Sequence, residues 1–267
     1  MMSPLLAPTV LLSVNPSTMK RLLLNIATIP WILACSPVFY SPSSQHVPLL
    51  SEKNDFSASA GYVLAESTES VAVKAAYALG SRWGLMAGGS FHLREGNENT
   101  VASGDGAYIE AGGGYFTKIS RKFVSETYGL VGVGNMSNYF PKSVDTYPNT
   151  NGRIKAGLLQ IALQPAIGFK SRYFDAALSL KTSMLHYNNI RGALITQNID
   201  QQNPSSQQAY LANHRNNVLL EPAITLRGGL DDLKLQLQGG ASFNLSHPNF
   251  PQDASWVSFG LVYNLRK

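Results

Sequence analysis

The sequence predicts an all-β protein: a single antiparallel transmembrane barrel of about ten strands, with short turns at one end and longer loops at the other. Three observations predict it. Leu233, Leu235, Leu237, Ala241, Phe243 and Leu245 alternate with Lys234, Gln236, Gln238, Ser242 and Asn244, and only the two-residue period of a strand puts each set on one face. Charged residues make up 14% of the chain although hydrophobic residues reach 44%, whereas a soluble surface carries about 25–35% charged residues. Outside residues 21–35 no long apolar run occurs, which excludes spanning helices of roughly 20 residues each.

Residues 1–18 contain no charge, and Met19-Lys20-Arg21 then opens a secretion-type pattern. A basic start is followed by an apolar core from Leu22 to Leu33, too short to span a bilayer comfortably, and by Ala34-Cys35. Met19 is the expected translational start, with residues 1–18 an upstream extension. Cys35 is the single cysteine, so an intramolecular disulfide is ruled out. Residues 36–54, with Pro37, Pro42 and Pro48 among serines, read as an extended tether without a core of its own.

The barrel is expected over 55–267, with strands near 55–64, 69–79, 83–94, 107–119, 123–136, 153–169, 172–186, 216–228, 232–245 and 255–266. Each matches a tilted transmembrane strand of about 9–11 residues better than a soluble strand of about five or six. Gly80-Ser81-Arg82, Ser120-Arg121-Lys122, Lys170-Ser171-Arg172 and Gly229-Leu230-Asp231 form tight turns. They alternate with looser connections at 95–106, 137–152, 187–214 and 246–254, plus the shorter 65–68. An even strand number leaves both barrel termini at the turn end, and the tether is expected there, on the periplasmic side. Aromatic residues gather near the turns (Tyr77, Trp83, Tyr115, Phe123, Phe169, Phe174, Tyr263) and near the loops (Phe91, Tyr139, Phe140, Tyr187, Trp256), as two interfacial girdles do.

With the apolar faces outward, the lumen receives Lys74, Arg94, Glu110, Glu126, Asp175, Lys181, Glu221, Arg227 and Lys234, joined by His92, Gln160, Gln164, Gln236 and Gln238. Both signs are present, so a packed network of ion pairs and hydrogen bonds is expected, since buried charges need partners and a barrel of about this strand number is close to the size that side chains fill. Leu237→Arg is expected to be harmful and Gln238→Arg milder.

The net charge of +5 includes no basic run, which argues against nucleic acid as a partner. No metal-ligand spacing, no nucleophile-elbow motif and no cofactor motif is present; the glycines at 112–114 and 132–134 open no helix. Among five histidines, His186 is the most plausible general base for the alternative reading, a barrel hydrolase acting on lipid or peptide at its rim. No catalytic set accompanies it. A third reading, a soluble ligand barrel of lipocalin type, would turn the leucines inward. The long polar loop 187–214 is the natural place for recognition of a ligand that the sequence does not identify.

Ile32-Leu33-Ala34-Cys35 resembles the lipobox of bacterial lipoproteins, which implies acylation of Cys35. Ser258, Gly260, Tyr263 and Leu265 resemble the C-terminal insertion signal that the barrel-assembly machinery reads, here followed by Arg266 and Lys267. With Cys35-Ser36-Pro37-Val38, Ser59-Ala60-Gly61-Tyr62, Glu110-Ala111-Gly112-Gly113-Gly114-Tyr115-Phe116 and Glu126-Thr127-Tyr128-Gly129, residues 35–267 resemble the small outer-membrane β-barrel lipoproteins of Gram-negative bacteria. The resemblance implies an outer-membrane location, contact with outer-membrane lipid and a structural or surface-binding role.

Overall fold

The computed structural model describes residues 37–94, 102–141, 150–196 and 205–265. Ten barrel strands follow one another as β1 (Phe56–Ala65), β2 (Glu69–Ala78), β3 (Trp83–Arg94), β4 (Ser103–Lys118), β5 (Phe123–Phe140), β6 (Gly152–Lys170), β7 (Phe174–Gly192), β8 (Asn216–Gly229), β9 (Leu233–Ala241) and β10 (Ser255–Leu265). Each pairs antiparallel with its neighbours in sequence, and β10 returns to β1 with Phe56 opposite Leu265 and Ala65 opposite Trp256. Closure removes every free edge, the condition for placing a sheet in hydrocarbon.

Alternation sets which face is which. On β9, Leu235 is 70% exposed while Lys234 and Gln238 are fully buried. The same inversion of ordinary globular burial runs round the wall, with Val71, Val73, Ile109, Val131, Ile161, Leu178, Met184, Ile224 and Phe259 all outward and exposed. This is a lipid-facing wall, and it overturns the soluble ligand-barrel alternative. On β6 the outward apolar run from Leu159 to Ile167 reaches about 20 Å once strand rise and a tilt near 40° are allowed for, close to the apolar band of such barrels. Trp83 packs edge-on against Tyr115, and Phe123 against Phe169, at the turn end. The girdle expected at the loop end is corrected: Phe91 faces outward, but Phe140, Tyr187 and Trp256 are buried inside.

Strands β4, β5 and β7 run further toward the loops than expected, to 16–19 residues each, while β6 keeps the expected span to within one residue at each end. The extensions carry Gly104, Asp105, Gly106, Asn138 and Asn188, polar or small, so no apolar alternation marks them. The loop between β7 and β8 is partly structured. Ile195–Thr196 pairs with Ser205–Ser206, and helix α1 (Gln207–Asn213) follows, with Ser206 accepting from the Ala209 amide at its start. Gln207 and Leu211 are its buried residues.

The largest departure concerns the segment before β1. Residues 37–50 are not a tether outside the barrel. Phe39, Gln45, His46, Val47, Leu49 and Leu50 are each at most 3% exposed, because the segment threads the lumen. Its Asp55 end meets the turn end of the wall, where the Asn54 amide donates to the carbonyl of Ala78. Its Phe39 end meets the loop end, where the Phe39 amide donates to the carbonyl of Pro251. The turn-side tether is therefore corrected. The first and last strands do begin and end at the turn end, but the arm doubles back through the barrel to the opposite mouth.

Candidate functional site

The described residues place the chain's polar chemistry in the lumen, in three tiers along the arm. At the turn end the Asp55 carboxylate caps a tight bend, accepting from the amides of Ser51 at 2.8 Å and Glu52 at 3.0 Å and from the Ser51 hydroxyl at 2.8 Å. Lys170 crosses from β6 and donates to the Leu49 carbonyl at 2.7 Å and the Ser51 hydroxyl at 2.9 Å. Beside them Lys234 donates to Asp175 at 2.7 Å and to the Ser171 carbonyl at 2.7 Å. Arg227, opposite Asp175 in register, donates to Gln236 at 2.9 Å. Glu126 accepts from the Leu49 amide at 3.3 Å.

At mid-height the wall grips Gln45 by every polar group it has. The Gln238 amide both accepts from the Gln45 N–H at 2.7 Å and donates to the Gln45 carbonyl at 2.9 Å, completing for one residue the ladder that a neighbouring strand would supply. The Gln45 side chain donates to the Glu221 carbonyl at 2.7 Å and accepts from the Ser179 hydroxyl at 2.7 Å. One residue on, Gln164 donates to the His46 carbonyl at 2.7 Å, and Ser59 meets the His46 ring at 3.0 Å. A polar segment stays buried only when its backbone groups are paired, and here wall side chains pair the Gln45 N–H and carbonyl and the His46 carbonyl.

Above this level Glu110 lies between Lys74 at 2.6 Å and Lys181 at 2.8 Å, all three buried. Glu221 accepts from the Tyr40 hydroxyl at 2.9 Å. Tyr108 donates to Gln160 at 2.5 Å, and Gln160 passes the chain to Ser183 at 2.7 Å. A cavity of about 80 Å³ adjoins this tier, between the arm at Tyr40 and Ser43 and the wall at His92, Tyr108, Lys181 and Glu221.

Among the described residues, the mouth carries an apolar cap centred on Phe39. Its ring lies 5.8 Å from Phe250 and 6.2 Å from Tyr210 of α1, and Tyr187 packs on Phe250 at 5.8 Å. The Tyr187 hydroxyl donates to the Phe39 carbonyl at 3.0 Å, Asn138 donates to the Val38 carbonyl at 2.8 Å, and Tyr40 forms a parallel bridge with Gln252. Asp253 pins the β1–β2 connection by accepting from the Ser67 amide at 2.9 Å and Thr68 at 2.8 Å; loss of solvent raises its carboxyl above the usual carboxylate range. His214 stacks on Tyr210 and meets His247 edge-on at 4.6 Å.

The inward set expected from sequence thus separates into Lys74–Glu110–Lys181, the Lys234–Asp175 pair with Arg227 nearby, Glu126 on the arm, and Glu221 under Tyr40. Arg94 lies on another part of the wall, with its guanidinium 5.9 Å from the Phe140 ring centre. His186 bonds Asn216 at 2.7 Å, with neither a carboxylate nor a nucleophile among its hydrogen-bond partners in the described residues. In β10, Ser258 faces the lumen while Tyr263 and Leu265 face outward; Gly260 lies opposite Gly61 at the β1 seam. Cys35, Arg266 and Lys267 lie outside the described residues, as do residues 197–204 of the long loop. Sequence reasoning missed Phe39, Tyr40 and Gln45. Their signal was the absence of any Asp, Glu, Lys or Arg over residues 36–51, odd for a solvated tether, together with Val47-Pro48-Leu49-Leu50.

No family model matches the chain, and no curated protein does. Among solved structures it is similar to the translocator domain of the autotransporter NalP from Neisseria meningitidis, at 10% identity and a TM-score of 0.41 over 80% of this chain and 87% of that one. It is also similar to LpxR from Salmonella typhimurium, at 7% identity and 0.36 over 78% and 99%, and to Ail, the attachment invasion locus protein of Yersinia pestis, at 13% identity and 0.31 over 80% and 99%. At these identities and scores nothing about this chain's chemistry follows from the likenesses.

Proposed function

We propose that the protein is an outer-membrane barrel lipoprotein whose lumen is sealed by its own N-terminal arm, and that its role is structural or binding, exercised at the capped loop end. The loops face the exterior and the tight turns the periplasm. The barrel-assembly machinery reads Ser258, Gly260, Tyr263 and Leu265, and an acyl anchor is carried on Cys35. The observation that supports a closed barrel over a channel is the saturation of Gln45, whose backbone and side-chain groups are all bonded by Gln238, Glu221 and Ser179. A conducting pore needs this residue gone from the lumen.

The test is conductance in planar bilayers. The intact protein should give no stable channel, whereas a variant with residues 39–49 replaced by a flexible Gly-Ser linker of equal length should give one. Stable channels from the intact protein would refute the sealed reading. For the acyl anchor, incorporation of an alkyne-tagged fatty acid should occur in the native chain and vanish in Cys35→Ser.

A further inference from the structure

The arm crosses the lumen once and in one direction. At its C-terminal end Ser51, Glu52 and Asp55 form the bend that feeds β1, among Lys170 and the turns. At its N-terminal end Val38, Phe39 and Tyr40 are fixed at the opposite mouth by Asn138, Tyr187, Pro251 and Gln252. Residues 38–48, at up to about 3.1 Å each, reach roughly 30 Å before Leu49 turns the chain at φ 51°, about the thickness of the hydrocarbon layer. Cys35 precedes Pro37 by two residues in the sequence.

We propose that the barrel carries its own N-terminus through its lumen to the outer face of the membrane, so that an acyl anchor on Cys35 inserts in the outer leaflet. The lipid half of this rests on the proposed acylation; the threading rests only on residues 37–55. The partner is then the hydrocarbon of the outer leaflet beside the loop end, where a periplasmic tether would have reached the inner leaflet. Lumen packing adds a consequence for assembly. With Gln45, His46, Leu49 and Leu50 buried against the wall, a diacylated end has no room to slide through a finished barrel. The wall must close around the arm, and the β1–β10 seam, whose first strand follows Asp55 directly, is the place where a closing wall meets it.

The experiment uses the full chain in intact cells. A short epitope inserted between Ser36 and Pro37 should bind antibody without permeabilisation, as should an epitope at Asn249 in the loop-end connection. An epitope at Ser81, in a tight turn, should bind only after permeabilisation. If the 36/37 epitope behaves like that at Ser81, the threading is overturned. Should the insertion prevent accumulation of the barrel, Ser36→Cys read with a membrane-impermeant maleimide, against Asn249→Cys and Ser81→Cys, gives the same decision. Alkyne fatty-acid incorporation measured on the same cells separates the two halves: surface exposure without incorporation removes the acyl anchor and upholds the threading.

Discussion

Gln238→Met isolates what holds the arm. Methionine keeps the volume of the side chain, so the packing cost is small, but it removes one acceptor and two donated bonds. The Gln45 N–H and carbonyl lose their partners, and the Thr225 hydroxyl loses the amide that donates to it at 2.5 Å. Gln238 and Gln45 are both buried, so no bulk water replaces these bonds. A buried group left unsatisfied costs about 1–3 kcal/mol; two backbone groups, partly relieved by local shifts, give about 2–4 kcal/mol. The loss falls on the arm, because the β8–β9 and β9–β10 ladders are backbone pairs that the substitution leaves in place. Hydrogen exchange in detergent should therefore quicken at the Gln45 amide by roughly 30- to 1,000-fold, at about 1.4 kcal/mol per tenfold, while amides of β9 change little. Unchanged protection at Gln45, or equal loss across β9, would refute the clamp. The sequence alone suggests that Gln238→Arg is mild, since the lumen face is polar. The structure reverses that: the added guanidinium would be driven into the Gln45 backbone.

Leu237→Arg tests the wall. Leu237 faces outward and is 44% exposed, and near the bilayer midplane the change should destabilise by about 2–4 kcal/mol, measured by denaturant titration in lipid vesicles; a neutral result would deny that this face touches hydrocarbon. Glu110→Gln tests the upper tier. It leaves Lys74 and Lys181 buried with one neutral acceptor between them, and breaking such a pair costs about 3–5 kcal/mol, read as a lowered unfolding midpoint that Lys74→Met in the same chain should partly restore.

The strands were legible because lipid enforces a strict rule. Every outward side chain from Leu159 to Ile167 must be apolar, so a two-residue period survives intact in the sequence. Above the bilayer that rule lapses, which is why the extensions through Gly104-Asp105-Gly106 and Asn188 were not seen. Ion-pair partners were not legible either: Lys74, Glu110 and Lys181 come from three strands, and only register brings them together. Phe140, Tyr187 and Trp256 misled because aromatic character marks an interfacial girdle and also an inner apolar cluster, the Phe39 cap for the first two and the cluster with Val63, Ala72 and Ala223 for Trp256. The arm misled for another reason. Its backbone bonds go to side chains of the wall, such as Gln164 and Gln238, so no periodicity in residues 37–50 announces its place.

The wall nevertheless records the arm in its missing side chains. Gly168 on β6 and Gly84 on β3 have lumen faces where a Cβ would lie 2.5 Å from Leu49 Cδ2 and 3.0 Å from Leu50 Cδ1. A barrel filled by its own wall would have large residues at such positions; these two are empty because leucines of the arm occupy the space. Gly168→Val should therefore overpack the lumen and cost about 1–3 kcal/mol, and Leu49→Ala alone, leaving a cavity, about 2–5 kcal/mol. Together they should be less harmful than their sum by about 1 kcal/mol or more, since the valine refills the volume that the leucine vacates. Thermal unfolding of the four proteins in one detergent measures this coupling. Simple additivity would mean that Leu49 does not sit against Gly168, and the account of a lumen shaped around its arm would fail at that contact.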